Sequence, residues 1–326
     1  MANQPLPEQQ FEHRLIIPKI IDWPVLIGIT AMHVLSLAVF NPAYFSWSGF
    51  LLFLLFAWLT ACVGITLTYH RLLTHRSFKC PKWFEYVLTF FGCLAWQGGP
   101  IQWVGTHRIH HKHSDKEKDP HSPKHGFTWG HMTWCMHKSV DGHVAADAAK
   151  DLHRDKVLRF MNKWFFVPQL LMIPIMYGLG YAYARWDGLE GAAVNNMGIS
   201  WALWSTIFRV VFVYHGTWFV NSAAHTWGYR NYKTTDGSTN LWWVAIWSFG
   251  EGWHNNHHAY QRSAKHGLRK FELDPTYWII KLLGAVGLAT DIVVPKPEEL
   301  PTAEYDIPLT KERNKKAAAN QEVPNL

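Results

Sequence analysis

Three short histidine-rich segments are the parts of this chain best suited to chemistry. The segments HRIHH at 107–111 and HNNHH at 254–258 each carry histidines at i, i+3 and i+4, which share one face of a helix. A third segment, HRLLTH at 70–75, carries two more. Neutral imidazole is a common metal ligand. Eight such ligands exceed what one tetrahedral zinc needs, so the pattern predicts two metal ions with open coordination positions.

Asn221 and His225 form a further polar pair, one helical turn apart, at the end of an apolar segment. His225 is therefore a candidate for a ninth ligand, and Asn221 could hold a metal-bound water. A single cluster of this kind is more often a solvated helix face, but its repetition favours a metal site. These residue types alone do not choose between iron and zinc.

The elements that position these histidines are four apolar segments, at about 23–40, 47–69, 164–184 and 199–220, each near the length of a membrane helix. Shorter apolar segments at 83–96 and 276–294 predict interfacial or packed helices. An even number of spans places both termini and every histidine segment on one face of the membrane. Lys and Arg lie mostly between and after the spans, which predicts that this face is cytoplasmic.

The predicted fold is therefore an all-α integral membrane protein, in which a cytosolic helical cap carries a histidine-rich dimetal site. We expect a cytosolic lead-in at 1–22 with Arg14 and Lys19, a membrane domain at 23–294, and a polar, disordered tail at 295–326. Within the fourth apolar segment, Arg209 and His215 are functional candidates because ionisable residues are costly in a membrane.

Composition agrees with a membrane protein. The 19 tryptophans suit membrane interfaces, and the net charge of +7 suits attraction to anionic lipid. No basic helix or aromatic RNA-binding signature is present, so we expect no nucleic-acid partner. The predicted cap at about 112–162 carries further histidines outside the three segments, which we interpret as surface or structural residues: His113, His121, His125, His131, His137, His143 and His153.

In order and context, HRLLTH, HRIHH and HNNHH resemble the three histidine boxes of the membrane fatty acid desaturases. The segments NSAAH at 221–225 and GEGWH at 250–254 resemble the Δ9 branch, which includes acyl-CoA enzymes and acyl-lipid enzymes. The similarity covers about 20–290. It implies two irons that activate O2 to place a cis double bond in a saturated acyl chain. The implied ligands are His70, His75, His107, His110, His111, His225, His254, His257 and His258, with Asn221 acting through water.

The resemblance also bears on the substrate. It places Trp103 and Trp218 near the kink of an acyl tunnel, although interfacial packing explains both equally well. Gly105 stands where acyl-CoA enzymes carry a basic residue, and of a later basic pair only Lys138 is kept, as His137-Lys138. Weaker phosphate-binding charge favours an acyl chain esterified to a membrane glycerolipid, with acyl-CoA as second choice.

Several alternatives and partners follow from the same features. Asp115 and Asp119 could orient box histidines, or be solvated turn residues. We expect a separate electron donor, ferredoxin or cytochrome b5, because no haem-binding segment is evident. Zinc could replace iron in a recombinant sample. A related hydroxylase of alkyl chains or sterols is the alternative enzyme. A metal-handling membrane protein is the non-enzyme alternative, although a transporter should place its ligands near the bilayer midplane.

Overall fold

The computed structural model describes residues 20–138 and 142–300. The predicted lead-in at 1–22, with Arg14 and Lys19, and the predicted tail at 295–326 lie mostly outside these ranges. The first residues of the tail, 295–300, are described and include the short helix Pro297–Glu299. Within them the chain forms helices and a few isolated bridges, and no strand. The prediction of an all-α fold is therefore confirmed.

In the described part of the chain, four helices are long and apolar enough to cross a membrane, as predicted. In chain order, the first to fourth membrane helices are Trp23–Phe40, Trp47–Thr74, Phe166–Trp186 and Ala192–His225. The second and fourth extend beyond their predicted ends, because both continue without a break into residues of the histidine site. Pro174 lies inside the third, where neighbouring helices can compensate for the lost hydrogen bond.

Short polar caps mark where the first two membrane helices begin. The side chain of Asp22 accepts a hydrogen bond from the backbone N–H of Val25, and Pro24 occupies the first turn of the first membrane helix. Ser46 caps the second membrane helix, and its hydroxyl also lies 2.7 Å from the hydroxyl of Ser200. That contact joins the second membrane helix to the fourth.

The remaining helices are short and surround the histidine segments. They are Lys82–Leu94, Pro100–His113, Pro123–His125, Phe127–His131, Thr133–Met136, Gly142–Ala148, Lys150–His153, Lys156–Trp164, Trp242–Trp247, His254–Ala259, Pro275–Ala285 and Pro297–Glu299. One more short helix, Pro42–Tyr44, lies apart from them, between the first two membrane helices. Lys82–Leu94 exposes Trp83 and Val87, and Pro275–Ala285 exposes Trp278 and Leu282. Neither is long enough to cross a membrane. Such one-sided exposure of large apolar residues is typical of helices that lie at an interface.

Candidate metal centre

The nine histidines predicted as ligands lie in two adjacent clusters. Within each cluster the ligand nitrogens are all within 4.8 Å of one another. The larger cluster contains His70, His75, His107, His111 and His257, and the smaller one contains His110, His225, His254 and His258. The residues of the three boxes therefore do not form one cluster per box.

A change of helical winding brings His70 and His75 together. A regular α-helix would place residues five apart on different faces. Here the second membrane helix is wound as a π-helix over Trp58–Thr74, and the backbone N–H of His75 donates to the carbonyl of His70 at 3.1 Å. The two ring centroids are 4.8 Å apart. The i+5 spacing therefore suits the wider turn, and π-helical segments are frequent at functional sites.

The second and third boxes each divide their histidines between the clusters. In helix Pro100–His113, His107 and His111 join the larger cluster with their Nε2 atoms 3.0 Å apart, whereas His110 joins the smaller one. In the third box, His254 and His258 join the smaller cluster with their Nε2 atoms 3.1 Å apart, whereas His257 joins the larger one. Each box helix therefore contributes to both clusters.

Four carboxylates lie against Nδ1 of four of these imidazoles, and three of them, Asp119, Asp115 and Asp236, form hydrogen bonds there. The Nδ1···O distances are 2.7 Å for His70–Glu251, 3.0 Å for His110–Asp119, 3.0 Å for His225–Asp115 and 2.8 Å for His258–Asp236. Asp119 thus has the predicted contact with a box histidine, whereas Asp115 contacts His225, which lies outside the three boxes. Asp236 and Glu251 were missed. Glu251 stands three residues before His254 in GEGWH, but a lone carboxylate near a box is a weak signal. Contacts of this kind fix the ring and its tautomer.

Burial keeps the rings suitable for metal binding. It holds the pKa values of His107, His111 and His254 well below the usual range, so these rings stay neutral. Burial opposes ionisation of Asp115, but the hydrogen bond and charge of His225 outweigh it and lower the pKa of this carboxyl to about 2. The smaller cluster therefore combines the neutral ring of His254 with an ionised carboxylate, Asp115, beside His225.

Unpaired nitrogens show that the site fits metal ions. Nε2 of His75, His110 and His225 is buried and has no hydrogen-bond partner among the described residues. An unsatisfied buried polar atom is costly. In His110 and His225, Nδ1 is held by a carboxylate and Nε2 is left to the cluster, which is the arrangement of oriented metal ligands.

Two further histidines lie against the clusters. His121, predicted as a surface or structural residue, is buried, and its ring centroid is 4.3 Å from that of His110. His266 was not singled out from the sequence, yet it is fully buried with Nδ1 3.1 Å from Glu251. No spacing relates His266 to a box, so only the fold reveals it.

A cavity of about 1120 Å³ adjoins the larger cluster at His107. The residues predicted to contact substrate all line it: Trp103, Trp218 and Lys138, as does Asn221. A narrower cavity continues past His70 and His254 along the second membrane helix to Ala61. The ring of Trp103 is stacked on His107 with centroids 5.1 Å apart. Both cavities are lined by Trp103, His107 and Asn221, so an elongated apolar molecule could lie beside the histidines.

Comparison with known proteins agrees with this geometry. The sequence model of the family described as "Fatty acid desaturase" matches residues 45–281. The chain belongs to the fatty acid desaturase family. Among its relatives, an sn-1 stearoyl-lipid 9-desaturase of Anabaena variabilis is 46% identical over 83% of this chain and 94% of the relative. An sn-2 palmitoyl-lipid 9-desaturase of Nostoc sp. is 42% identical, over 81% and 88%. An icosanoyl-CoA 5-desaturase of Limnanthes douglasii is 40% identical, over 82% and 72%.

In this desaturase, Gly105 is a packing position. A Cβ atom there would lie 2.1 Å from the backbone oxygen of Ala145, in the helix Gly142–Ala148 that crosses helix Pro100–His113. No side chain fits unless the two helices separate. A basic residue therefore cannot stand at this position in the present packing, which gives the sequence difference a physical reason.

Neither of the two ionisable residues singled out in the fourth membrane helix belongs to a histidine cluster. Arg209 is fully buried and donates to the carbonyls of Leu94 and Ser205 and to Gln169, which explains it as a structural residue. His215 lies between His33, at 3.2 Å, and His131, at 3.0 Å. It joins neither metal cluster.

Proposed function

We propose that this protein is an O2-dependent di-iron desaturase that introduces a cis double bond, at Δ9, into a saturated acyl chain of a membrane glycerolipid. The observation that carries the proposal is the pair of buried histidine clusters beside an elongated cavity. Family membership supports the oxidative reaction on acyl chains.

In the proposed enzyme the larger cluster holds one iron and the smaller cluster the other, with Asn221 acting through a water. When bound, the two irons supply the oxidising power that removes hydrogen from an unactivated methylene. Glu251, Asp119, Asp115 and Asp236 hold their imidazoles in fixed tautomers. Geometry fixed in this way is what the protein contributes when a cofactor carries the chemistry.

The cavity determines which methylene meets the site. Trp103 and Trp218 line it, and Trp103 stacks directly on His107. Positioning within about 1 Å matters for a reaction at one carbon of a uniform chain. We therefore assign the two tryptophans to holding the chain in register, and Lys138 to a contact with the polar end of the substrate.

The glycerolipid is the preferred acyl carrier for two reasons. Gly105 cannot carry the basic side chain that acyl-CoA enzymes use at that position. Two of the relatives, in addition, are named for stearoyl-lipid and palmitoyl-lipid substrates. The relative named for icosanoyl-CoA makes acyl-CoA the second choice.

We further propose that both termini and the metal site face the cytoplasm, where ferredoxin or cytochrome b5 delivers electrons. The histidine clusters lie at the C-terminal ends of the second and fourth membrane helices. The net charge of +7 suits an acidic electron carrier.

The test is expression in a host that lacks monounsaturated fatty acids, supplied with a matched electron donor. Fatty acids are analysed by gas chromatography and mass spectrometry after separation of the lipid classes. New Δ9 monoenes appearing first in glycerolipids support the proposal. Monoenes appearing first in acyl-CoA contradict the carrier, hydroxylated chains contradict the reaction, and no new product with the donor present contradicts the function.

A further inference from the structure

The helix Lys156–Trp164 has three different faces. At about 100° per residue, Val157, Phe160 and Trp164 share one face. These side chains are exposed by 38%, 65% and 42%. The opposite face is turned inward, where Leu158 is fully buried. Between them runs a third face that carries Lys156, Arg159 and Lys163, all exposed.

The apolar face is placed to contact lipid. The helix ends immediately before the third membrane helix, which begins at Phe166. Asp155 caps its first turn and also binds Lys82 at 3.0 Å and the hydroxyl of Tyr86 at 3.0 Å. These contacts hold it against helix Lys82–Leu94, whose own Trp83 is exposed. Two helices with exposed apolar faces thus adjoin where the chain enters the membrane.

The basic face lies between this lipid-facing surface and the large cavity. Asn162 and Phe160 lie on opposite sides of the basic face. Asn162 lines the cavity, as do Phe165 and Phe166. Its side-chain oxygen also accepts hydrogen bonds from the backbone N–H groups of Ile101 and Gln102, at the start of the helix that carries the second box. The basic face is therefore next to the cavity and rigidly connected to the metal site.

The three basic side chains are available to a ligand. Among the described residues, Lys156, Arg159 and Lys163 form no ion pair with a carboxylate; Lys163 lies over the ring of Trp164 at 5.2 Å. The nearest carboxylate along the chain, Asp155, is already paired with Lys82. Three uncompensated positive charges beside an apolar face suit a phosphate whose acyl chains lie in the membrane.

We propose that helix Lys156–Trp164 binds an anionic phosphoglycerolipid at the mouth of the cavity and so favours such lipids as substrates. Acyl chains of the lipid lie along Val157, Phe160 and Trp164, and its phosphate contacts the basic face. The lipid-binding part of the proposal depends only on the surface of helix Lys156–Trp164. The substrate half rests on the proposed function and narrows it from glycerolipids in general to those with a negative headgroup.

The binding half is tested without turnover. The full-length protein is reconstituted into phosphatidylcholine vesicles that contain a trace of spin-labelled phosphatidylglycerol or spin-labelled phosphatidylcholine. Electron spin resonance then measures the fraction of each probe immobilised by the protein. The wild type should retain the anionic probe preferentially at low salt, and high salt should remove the preference. Equal retention of the two probes by the wild type overturns the proposal.

Matched variants locate the binding. Arg159→Gln should lower the preference about threefold to fivefold, from the attraction of one basic residue to an anionic lipid. The triple variant K156Q/R159Q/K163Q should abolish it, and Arg159→Lys should keep it. Arg185→Gln removes one exposed charge at the opposite end of the third membrane helix and should have no effect. An unchanged preference in the triple variant, or an equal loss in Arg185→Gln, contradicts the assignment.

The substrate half is tested in vesicles that mix phosphatidylglycerol with a neutral galactolipid, both carrying saturated chains. The wild type with its electron donor should desaturate the anionic lipid first, and K156Q/R159Q/K163Q should lose this order while still desaturating both. Equal conversion of the two lipids by the wild type contradicts the substrate half. Failure of all desaturation contradicts the proposed function instead, and leaves the spin-label result valid.

Discussion

Nδ1 of His70 lies 2.7 Å from Oε2 of Glu251, and Nδ1 of His266 lies 3.1 Å from the same oxygen. The other carboxylate oxygen is 3.2 Å from the guanidinium of Arg71. Glu251 thus joins the first box to the segment that precedes the third box. Burial opposes its ionisation, yet these three partners outweigh that effect and hold the pKa of Glu251 well below its usual range.

Glu251→Gln should therefore weaken metal binding, although Glu251 belongs to neither of the two histidine clusters. The amide keeps the shape but loses the charge that orients His70, and substitutions of such partners lower metal affinity about 10- to 100-fold. Metal content per protein after dialysis against a weak chelator measures the effect. Glu117→Gln, at an exposed acidic residue, is the control. Equal metal content in the two variants contradicts the assigned role.

His110→Ala should abolish desaturation and lower the metal content from two ions towards one. His110 belongs to the smaller cluster alone, so the five histidines of the larger cluster keep their ligand atoms. Elemental analysis together with product formation separates the two effects. His125→Ala, at an exposed histidine, should leave both unchanged. Retained desaturation in His110→Ala would remove this residue from the proposed ligand set.

Exchange of the metal should separate stability from activity. Metal ions that bind only the folded state raise its melting temperature by mass action. Removal of metal by a strong chelator should lower the melting temperature and abolish activity. Iron should then restore both, whereas zinc should restore only the melting temperature, because it is redox-inactive. Recovery of desaturation with zinc alone is the outcome that the proposed chemistry does not allow.

Gly105→Ala should destabilise the protein although alanine favours helices. Its Cβ would lie 2.1 Å from the backbone oxygen of Ala145, which cannot move aside as a side chain does. Forcing extra atoms into a packed interface costs about 1–3 kcal/mol. Thermal unfolding in detergent measures the change. Gly178→Ala has nothing within 4 Å of its added Cβ and should be neutral or stabilising. A similar melting temperature for both variants would show that the helices can separate.

Ala61→Leu should shorten the acyl chain that the enzyme accepts. Ala61 lines the membrane end of the narrow cavity that begins at His70 and His254. A larger side chain fills space that the methyl end of a long chain needs, so stearoyl lipids should lose more activity than palmitoyl lipids. Ala43→Leu, in an exposed turn between the first two membrane helices, is the matched control. An equal loss for both chain lengths places the end of the substrate elsewhere.

The amino-acid sequence by itself determined the class of this protein and the histidines of its candidate metal centre. Apolar length is a local property, and it predicted the four helices that are long and apolar enough to cross a membrane in the described part of the chain. Histidine spacing is also local, because i, i+3 and i+4 fix a helix face wherever the helix lies. The nine histidines could therefore be named before their positions were known.

Only the tertiary structure decided how those nine are divided. Whether His110 shares a cluster with His107 or with His225 depends on where the end of the fourth membrane helix brings His225, whose ring centroid lies 5.3 Å from that of His110. Spacing along one helix carries no such information. The π-helical winding that brings His70 and His75 together is likewise a departure from regular helix geometry. The five-residue separation of the two histidines is compatible with this winding but does not require it.

The carboxylates show the same limit. Asp115 and Asp119 stand close to the second box, so the sequence could suggest them, but the choice of partner came from the fold, which gives Asp115 to His225. Glu251, Asp236 and His266 reach the site through contacts between distant segments. A hydrogen bond needs two groups within about 3 Å, and for residues far apart in the chain only the packing of helices sets that distance.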